Sequence, residues 1–210
     1  VLFGARDASN VFMWSVNTLD NEKEPLIRRH IYDRGRLQSS DTPIGKFFTK
    51  SDLLNKEHHL AIEAKDGVVK TYIDKVLVDT YTDTDSKLSN GYIGFRAFRG
   101  NNTNETAMFD NIVLTEYEQK GDKEEAKVVL KEDFEKPQSA FEGGEIVSVG
   151  GNRKLNMVSG SGDYRVLQVD MSGVPMFRKE FKAKKKIASA RIYSSALGVY
   201  DLFINGQRVG

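Results

Sequence analysis

The stretch that decides the fold is HHLAIEAKDGVVKTYIDKVLVDTY, residues 58–81. Apolar and polar side chains alternate along it, which is typical of half-buried β-strands. The alternation breaks at Asp66-Gly67 and at Asp74-Lys75, and Asp-Gly is a favoured pair in two-residue hairpin turns. We therefore predict an antiparallel meander in which Leu60–Lys65 pairs with Val68–Ile73 and Val76–Thr80 returns beside them.

The same period of two recurs along most of the chain, and Gly, Asn, Asp or Ser residues separate the alternating runs. These runs are NVFMWSVN (10–17), NGYIGFRAFRG (90–100), ETAMFDNIVLTEY (105–117), GEIVSVGG (144–151), KLNMVSGSG (154–162), DYRVLQVDM (163–171) and PMFRKEF (175–181). Many short strands at this spacing are typical of β-sandwiches. We predict an all-β protein with two antiparallel, jelly-roll-like sandwich units and almost no helix.

Composition argues against several classes of partner. The 210 residues include 31 basic and 30 acidic side chains, so the formal charge of +1 gives no electrostatic reason to expect nucleic acid or an anionic membrane. No apolar stretch approaches the length of a membrane span. The chain has no cysteine, which excludes disulfides, thiolate zinc sites and thiol catalysis and is compatible with cytoplasm or periplasm. Our expectation is a secreted or periplasmic protein.

A polar segment suggests a domain boundary. Between Glu116 and Lys127 only Tyr117 and Ala126 are apolar or aromatic, which favours a solvated connector. We therefore predict a first unit at 1–117 whose early strands are missing, a linker at 118–127, and a second unit at 128–210. Asn205-Gly206 is a strong hairpin signal followed by only four residues, so we expect the second unit to be incomplete at its C-terminal end.

Two blocks of the sequence resemble known families. The segments 56–80 and 89–116, with NGYIGFR at 90–96 and MFDNIV at 108–113, resemble the second half of the concanavalin-like jelly rolls of laminin-G-like and sugar-processing modules. The segment 173–210 resembles the N-terminal β-sandwich of bacterial α-L-rhamnosidases. The motifs that carry this second resemblance are Phe177–Phe181, Ala190–Tyr193, Ala196–Gly198 and Asn205–Gly210.

The rhamnosidase resemblance implies a function. In that family the chain continues into an α/α-barrel that cleaves the sugar, so the resemblance implies an accessory, non-catalytic fragment of a glycoside hydrolase. Its expected partners are a rhamnose-containing glycan and the catalytic domain of the same chain. Two alternatives stay open: a stand-alone, lectin-like carbohydrate-binding protein, and a jelly-roll sugar hydrolase that is active through its first domain.

Sugar recognition suggests candidate binding residues. Pyranose rings stack on aromatic side chains, and their hydroxyls bind arginine and carboxylate groups. Trp14 is the only tryptophan, although its alternation with Phe12 and Val16 favours core packing. In LIRRHIYDRG, Arg28, His30 and Tyr32 alternate onto one strand face, as Arg96 and Phe98 do in GFRAFRG. The predicted sugar-binding residues are Trp14, Arg28, His30, Tyr32, Arg96 and Phe98.

Catalytic and metal motifs are weaker. No strand carries the spaced carboxylates of jelly-roll glucanases, and neighbouring His58 and His59 would point to opposite strand faces. We therefore predict no catalytic residues, no metal-ligating residues and no cofactor in this chain. In DTDSKLSNG, Asp83 and Asp85 suggest a calcium loop, but Leu88 stands where an EF-hand loop requires glycine, so the segment is not an EF-hand. Jelly rolls also bind calcium through dispersed loop oxygens, so a structural calcium ion stays an open alternative.

Overall fold

The computed structural model describes residues 1–7, 9–19, 22–84, 91–100, 103–104, 106–120, 123–136, 139–157, 162–168, 203–204 and 207–208. Strands account for 67% of the structure and helix for 3%. The all-β, antiparallel sandwich prediction is therefore confirmed. The chain divides into two compact units, Val1–Met171 and Ser172–Gly210.

The described part of the first unit contains sixteen strands and one short helix. In chain order they are β1 (Leu2–Asp7), β2 (Asn10–Asn17), β3 (Leu26–Asp33), β4 (Arg36–Pro43), α1 (Lys50–Leu53), β5 (Leu60–Lys65), β6 (Val68–Ile73), β7 (Val76–Thr82), β8 (Tyr92–Gly100), β9 (Thr103–Asn104), β10 (Ala107–Phe109), β11 (Ile112–Lys120), β12 (Lys123–Glu132), β13 (Phe141–Glu142), β14 (Glu145–Val149), β15 (Asn152–Met157) and β16 (Gly162–Gln168). Among the described residues, no helix has the length and apolarity that crossing a membrane requires.

These strands form one large sheet and three small ones. The large sheet has the order β13-β16-β8-β1-β2-β3-β4, with β9 beside β8. The small sheets are β5-β6-β7, β10-β15-β14 and the hairpin β11-β12. Every pairing between these strands is antiparallel.

The predicted meander is confirmed. Strand β5 pairs with β6 from Leu60↔Ile73 to Lys65↔Val68, and β7 returns on the other side of β6. The turn residues Asp66 and Gly67 have φ of 49° and 74°, and Asp74 and Lys75 have φ of 50° and 70°. Two consecutive positive φ values define the mirror-image turn that matches strand twist, which explains why these pairs set the register.

One face of the large sheet is covered by two of the small sheets. Phe12 and Trp14 on β2 pack in one buried cluster with Val69, Ile73 and Val78 of the β5-β6-β7 sheet. A second cluster joins Phe95 and Val166 of the large sheet to Leu155 and Met157 of β15. Ile93 on β8 contacts both clusters, so the covered side of the sheet is continuous.

The predicted domain boundaries stay a prediction, although part of the predicted linker lies in strands. Residues 118–120 belong to β11 and residues 123–127 to β12, and Tyr117 pairs with Ala126 and Lys120 with Lys123. Strands on either side of that segment also join the same sheets, since β16 pairs with β8 and β15 with β10. The division into compact units falls at Met171/Ser172. A hairpin with both faces largely exposed is as polar as a connector, which is why composition pointed to a linker.

In the second unit the structure describes a single short hairpin. Strand β17 (Phe203–Ile204) pairs with β18 (Gln207–Arg208), so the two strands flank Asn205-Gly206 as the sequence predicts. The motifs at Phe177–Phe181, Ala190–Tyr193 and Ala196–Gly198 lie outside the described residues.

Candidate functional site

Five of the six predicted sugar-binding residues share one face of the large sheet. The register places Gly94, Leu2, Met13 and His30 in one row across β8, β1, β2 and β3. Side chains two residues apart on a strand share a face. Arg28 and Tyr32 therefore flank His30, and Arg96 and Phe98 follow Gly94 on the same side. We call these five residues the outer face: Arg28, His30, Tyr32, Arg96 and Phe98.

An apolar strip separates the two halves of the outer face. Leu2, Ala5, Val11 and Met13 on β1 and β2 are at most 5% exposed and form one cluster, against which Tyr32 packs. The five residues of the outer face are themselves half-buried. Polar and aromatic groups on both sides of an apolar strip form the combination that sugar-binding surfaces use.

Arg28 is held by two carboxylates. Its Nε donates to Asp41 Oδ1 at 2.9 Å and its Nη2 donates to Asp41 Oδ2 at 2.8 Å, a bidentate pair across β3 and β4. Nη2 also donates to Glu22 Oε1 at 3.0 Å. The hydrogen bonds from Arg28 lower the pKa of Asp41, so this carboxylate stays ionised. The arrangement fixes the guanidinium and presents carboxylate oxygens beside it.

The surroundings of His30 favour its neutral form. Burial lowers the pKa of its imidazole, and the positive charges of Arg96 and Arg28 lower it further, against a smaller opposite effect of Asp41. A neutral imidazole has one nitrogen that donates and one that accepts. His30 can therefore donate a hydrogen bond to a ligand hydroxyl or accept one from it.

On β8, Arg96 and Phe98 act as a pair. The guanidinium carbon of Arg96 lies 5.3 Å from the centroid of the Phe98 ring. That distance is within the range of a cation–π contact, which orients the guanidinium over the aromatic face. The strand thus contributes an aromatic surface and a positive charge to the outer face.

Trp14 lies on the opposite side of the sheet. Its side chain is 3% exposed and packs edge-on against Phe3 and Tyr81, with ring centroids 5.0 Å and 5.6 Å away. This is the core packing that its alternation with Phe12 favours. An indole in this position has no open face for a sugar ring, so Trp14 is not part of the outer face.

Sequence reasoning missed the two carboxylates of the site. Asp41 and Glu22 were not singled out, yet both bind Arg28. The signal for Asp41 was present: Arg34 and Gly35 form a two-residue turn with φ of 51° and 77°. A two-residue turn there makes Asp33 pair with Arg36, and counting back along both strands pairs Arg28 with Asp41.

Only one of the two aspartates discussed for calcium binding lies within the described residues. Asp83 is 7% exposed, whereas Asp85 lies outside the described residues. Within the described ranges no group of three or more His, Asp or Glu side chains is arranged to hold a metal ion. A structural calcium ion held by dispersed loop oxygens stays a prediction.

Five carboxyl groups in the described residues have a lowered pKa. Every carboxyl with a displaced pKa has it lowered, in each case chiefly by a hydrogen bond from a neighbouring side chain. These groups are Asp7, Asp41, Asp52, Glu57 and Asp74. The general acid of a glycosidase needs the opposite shift, a raised pKa that keeps its proton near neutral pH.

Comparison with known proteins gave one family match. Residues 185–210 match the model of the α-L-rhamnosidase N-terminal domain, which agrees with the resemblance of 173–210. The described hairpin β17-β18 lies inside the matched segment. Neither the comparison with curated proteins nor that with solved structures gave a match. The concanavalin-like resemblance of the earlier segments stays a prediction.

Proposed function

We propose that this chain is a non-catalytic, carbohydrate-binding region of an α-L-rhamnosidase-like glycoside hydrolase. The observation that carries the proposal is the match of residues 185–210 to the N-terminal domain of α-L-rhamnosidases. The β-sandwich that precedes this segment supplies a rigid sheet on which a binding surface can be built. Cleavage of the sugar is assigned to a further domain of the same protein.

The outer face is the proposed binding surface. Phe98 and Tyr32 offer aromatic area for the apolar side of a pyranose, and the carboxylate of Asp41 beside Arg28 offers acceptors for its hydroxyls. His30 adds a neutral donor and acceptor between them. Because residues 185–210 match the N-terminal domain of α-L-rhamnosidases, we propose a rhamnose-containing glycan as the ligand.

The non-catalytic part of the proposal is supported by the carboxylates. Hydrolysis needs a protonated acid on one side of the glycosidic bond and an ionised carboxylate on the other. Asp41 is the carboxylate best placed on the outer face, and its bidentate pair with Arg28 lowers its pKa. A group held as an anion in this way suits hydrogen bonding to hydroxyls and is a poor proton donor.

The test is a binding titration of the full chain with rhamnose-terminated oligosaccharides. Truncating Phe98 or Tyr32 to alanine should each weaken binding about fivefold, because one stacking contact contributes around 1 kcal/mol. Tyr117→Ala is the matched control, since Tyr117 is a 57% exposed aromatic on the β11-β12 hairpin, away from the outer face. Equal losses in Tyr117→Ala and Phe98→Ala would refute the assignment of the surface.

A further inference from the structure

A small cavity lies between the large sheet and the β5-β6-β7 sheet. Trp14 and Ile27 line it from the large sheet, and Ile62 and Thr71 line it from β5 and β6. Val16 and Leu60 also line it and are 39% and 36% exposed, so the cavity approaches the surface between β2 and β5. It lies on the covered side of the large sheet and is therefore separate from the outer face.

Two residues that line this cavity each carry a buried polar atom with no hydrogen-bond partner among the described residues. The atoms are the indole Nε1 of Trp14 and the hydroxyl Oγ1 of Thr71. Trp14 is 3% exposed and Thr71 is 1% exposed, so bulk water does not reach them freely. A buried donor or acceptor left unpaired is costly, and native proteins nearly always give such atoms a partner.

A single bridging group can form hydrogen bonds with both atoms. The indole N–H is a donor only, whereas the threonine hydroxyl both donates and accepts. A group that accepts from the indole and donates to the hydroxyl would satisfy both. Water is the smallest group that does this, and buried waters typically bind two to four polar partners.

The size of the cavity also favours a single water molecule. Its water-accessible volume is about 10 Å³. That is close to the smallest volume that holds one water and far too little for a sugar ring. Cavities lined by apolar groups alone stay empty, but here two orphaned polar atoms belong to lining residues.

We propose that this cavity is a binding site for one water molecule, which accepts a hydrogen bond from Trp14 Nε1 and donates one to Thr71 Oγ1. The water links the two sheets through the side chains of Trp14 and Thr71, which line the same cavity. Trp14 pairs with Arg29 on the large sheet and Thr71 pairs with Asp79 on the small sheet. The water therefore extends the polar contact that Arg29 and Asp79 already make between the sheets.

A crystal structure of the full chain, at a resolution that shows ordered water, tests the site. The expected result is a water within about 3 Å of both Trp14 Nε1 and Thr71 Oγ1. An empty cavity, or a side-chain group of the protein bound to either atom in its place, would overturn the proposal.

A matched pair of variants supplies a second, independent readout. Thr71→Val keeps the shape of the side chain and removes the hydroxyl, so the water should be lost from the crystal structure. The emission of Trp14, the only tryptophan, should then move to shorter wavelength because its N–H loses a polar partner. Thr80→Val on the exposed side of β7 is the control and should leave both readouts unchanged.

Two outcomes of the variant experiment contradict the site. A water retained in Thr71→Val would show that the hydroxyl does not hold it, and an unchanged emission maximum would show that the indole has no such partner. If Thr71→Val does not fold, Thr71→Ser keeps the hydroxyl and should retain the water, and the wild-type structure decides the question by itself.

Discussion

Removing the charge of Asp79 should destabilise the first unit by about 3 kcal/mol, because it leaves the buried charge of Arg29 unpaired. Asp79 has a side chain only 1% exposed and faces Arg29, with 3.6 Å between Asp79 Oδ1 and Arg29 Nη1. Thr42 also donates to Asp79 Oδ1, at 2.8 Å. Asp79→Asn keeps the shape of the side chain and the acceptor for Thr42, so it removes the charge and little else.

The magnitude follows from the geometry of the pair. Two unit charges 3.6 Å apart attract by about 5 kcal/mol at an effective dielectric constant of about 20. Removing one partner of a buried pair typically costs about 3–5 kcal/mol, because the other charge stays buried and unpaired. The side chain of Arg29 is 13% exposed and lies 5.4 Å from the Tyr81 ring, so we expect the lower end of that range.

A double-mutant cycle separates the pair from its surroundings. Arg29→Met removes the buried cation, so Arg29→Met/Asp79→Asn should recover most of the stability that Asp79→Asn loses. Urea unfolding followed by the emission of Trp14 measures all variants. Glu125→Gln, which breaks the exposed pair with Lys120, is the control and should change little. A loss below about 1 kcal/mol in Asp79→Asn, or no recovery in the double variant, would refute the reasoning.

Three further predictions concern stability. The pKa of His30 is lowered in the folded protein, so the unfolded chain takes up the proton first and stability should fall as pH drops below about 6.5. His30→Gln should flatten that fall in pH-dependent unfolding; an identical slope would contradict it. Gly91→Ala should cost about 1–3 kcal/mol in urea unfolding, because a Cβ there would lie 2.6 Å from the backbone of Gly4; wild-type stability would contradict this. Glu132 accepts from Phe134 N and Ala140 N while 8% exposed, so Glu132→Gln should lower the melting temperature; an unchanged value would show that neither bond matters.

Local features of the fold could be predicted from the sequence. The meander was predicted almost to the residue because its turns, Asp66-Gly67 and Asp74-Lys75, fix register within a few residues of chain. The hairpin at Asn205-Gly206 has the same origin. Alternation also placed Arg28, His30 and Tyr32 on one face correctly.

Long-range pairing could not be predicted in the same way. Strand β1 lies between β2 and β8, and β16 pairs with β8 across more than sixty residues, with no local signal for either contact. Arg96 and His30 lie on the same face of the sheet because β1 and β2 connect β8 to β3 in a fixed register, and this register has no local signal in the sequence. The single short helix, α1, did have a local signal, the capping box of Thr49 and Asp52.

The most direct test of the account measures binding and cleavage in one experiment. The full chain is titrated with a rhamnose-terminated oligosaccharide while resonances of the outer face are followed by NMR, and free rhamnose is assayed in the same samples. The account predicts saturable shifts at His30 and Phe98, with no release of rhamnose. Release of rhamnose that Asp41→Asn abolishes would contradict the non-catalytic assignment. Unperturbed resonances at saturating glycan would contradict carbohydrate binding by this face.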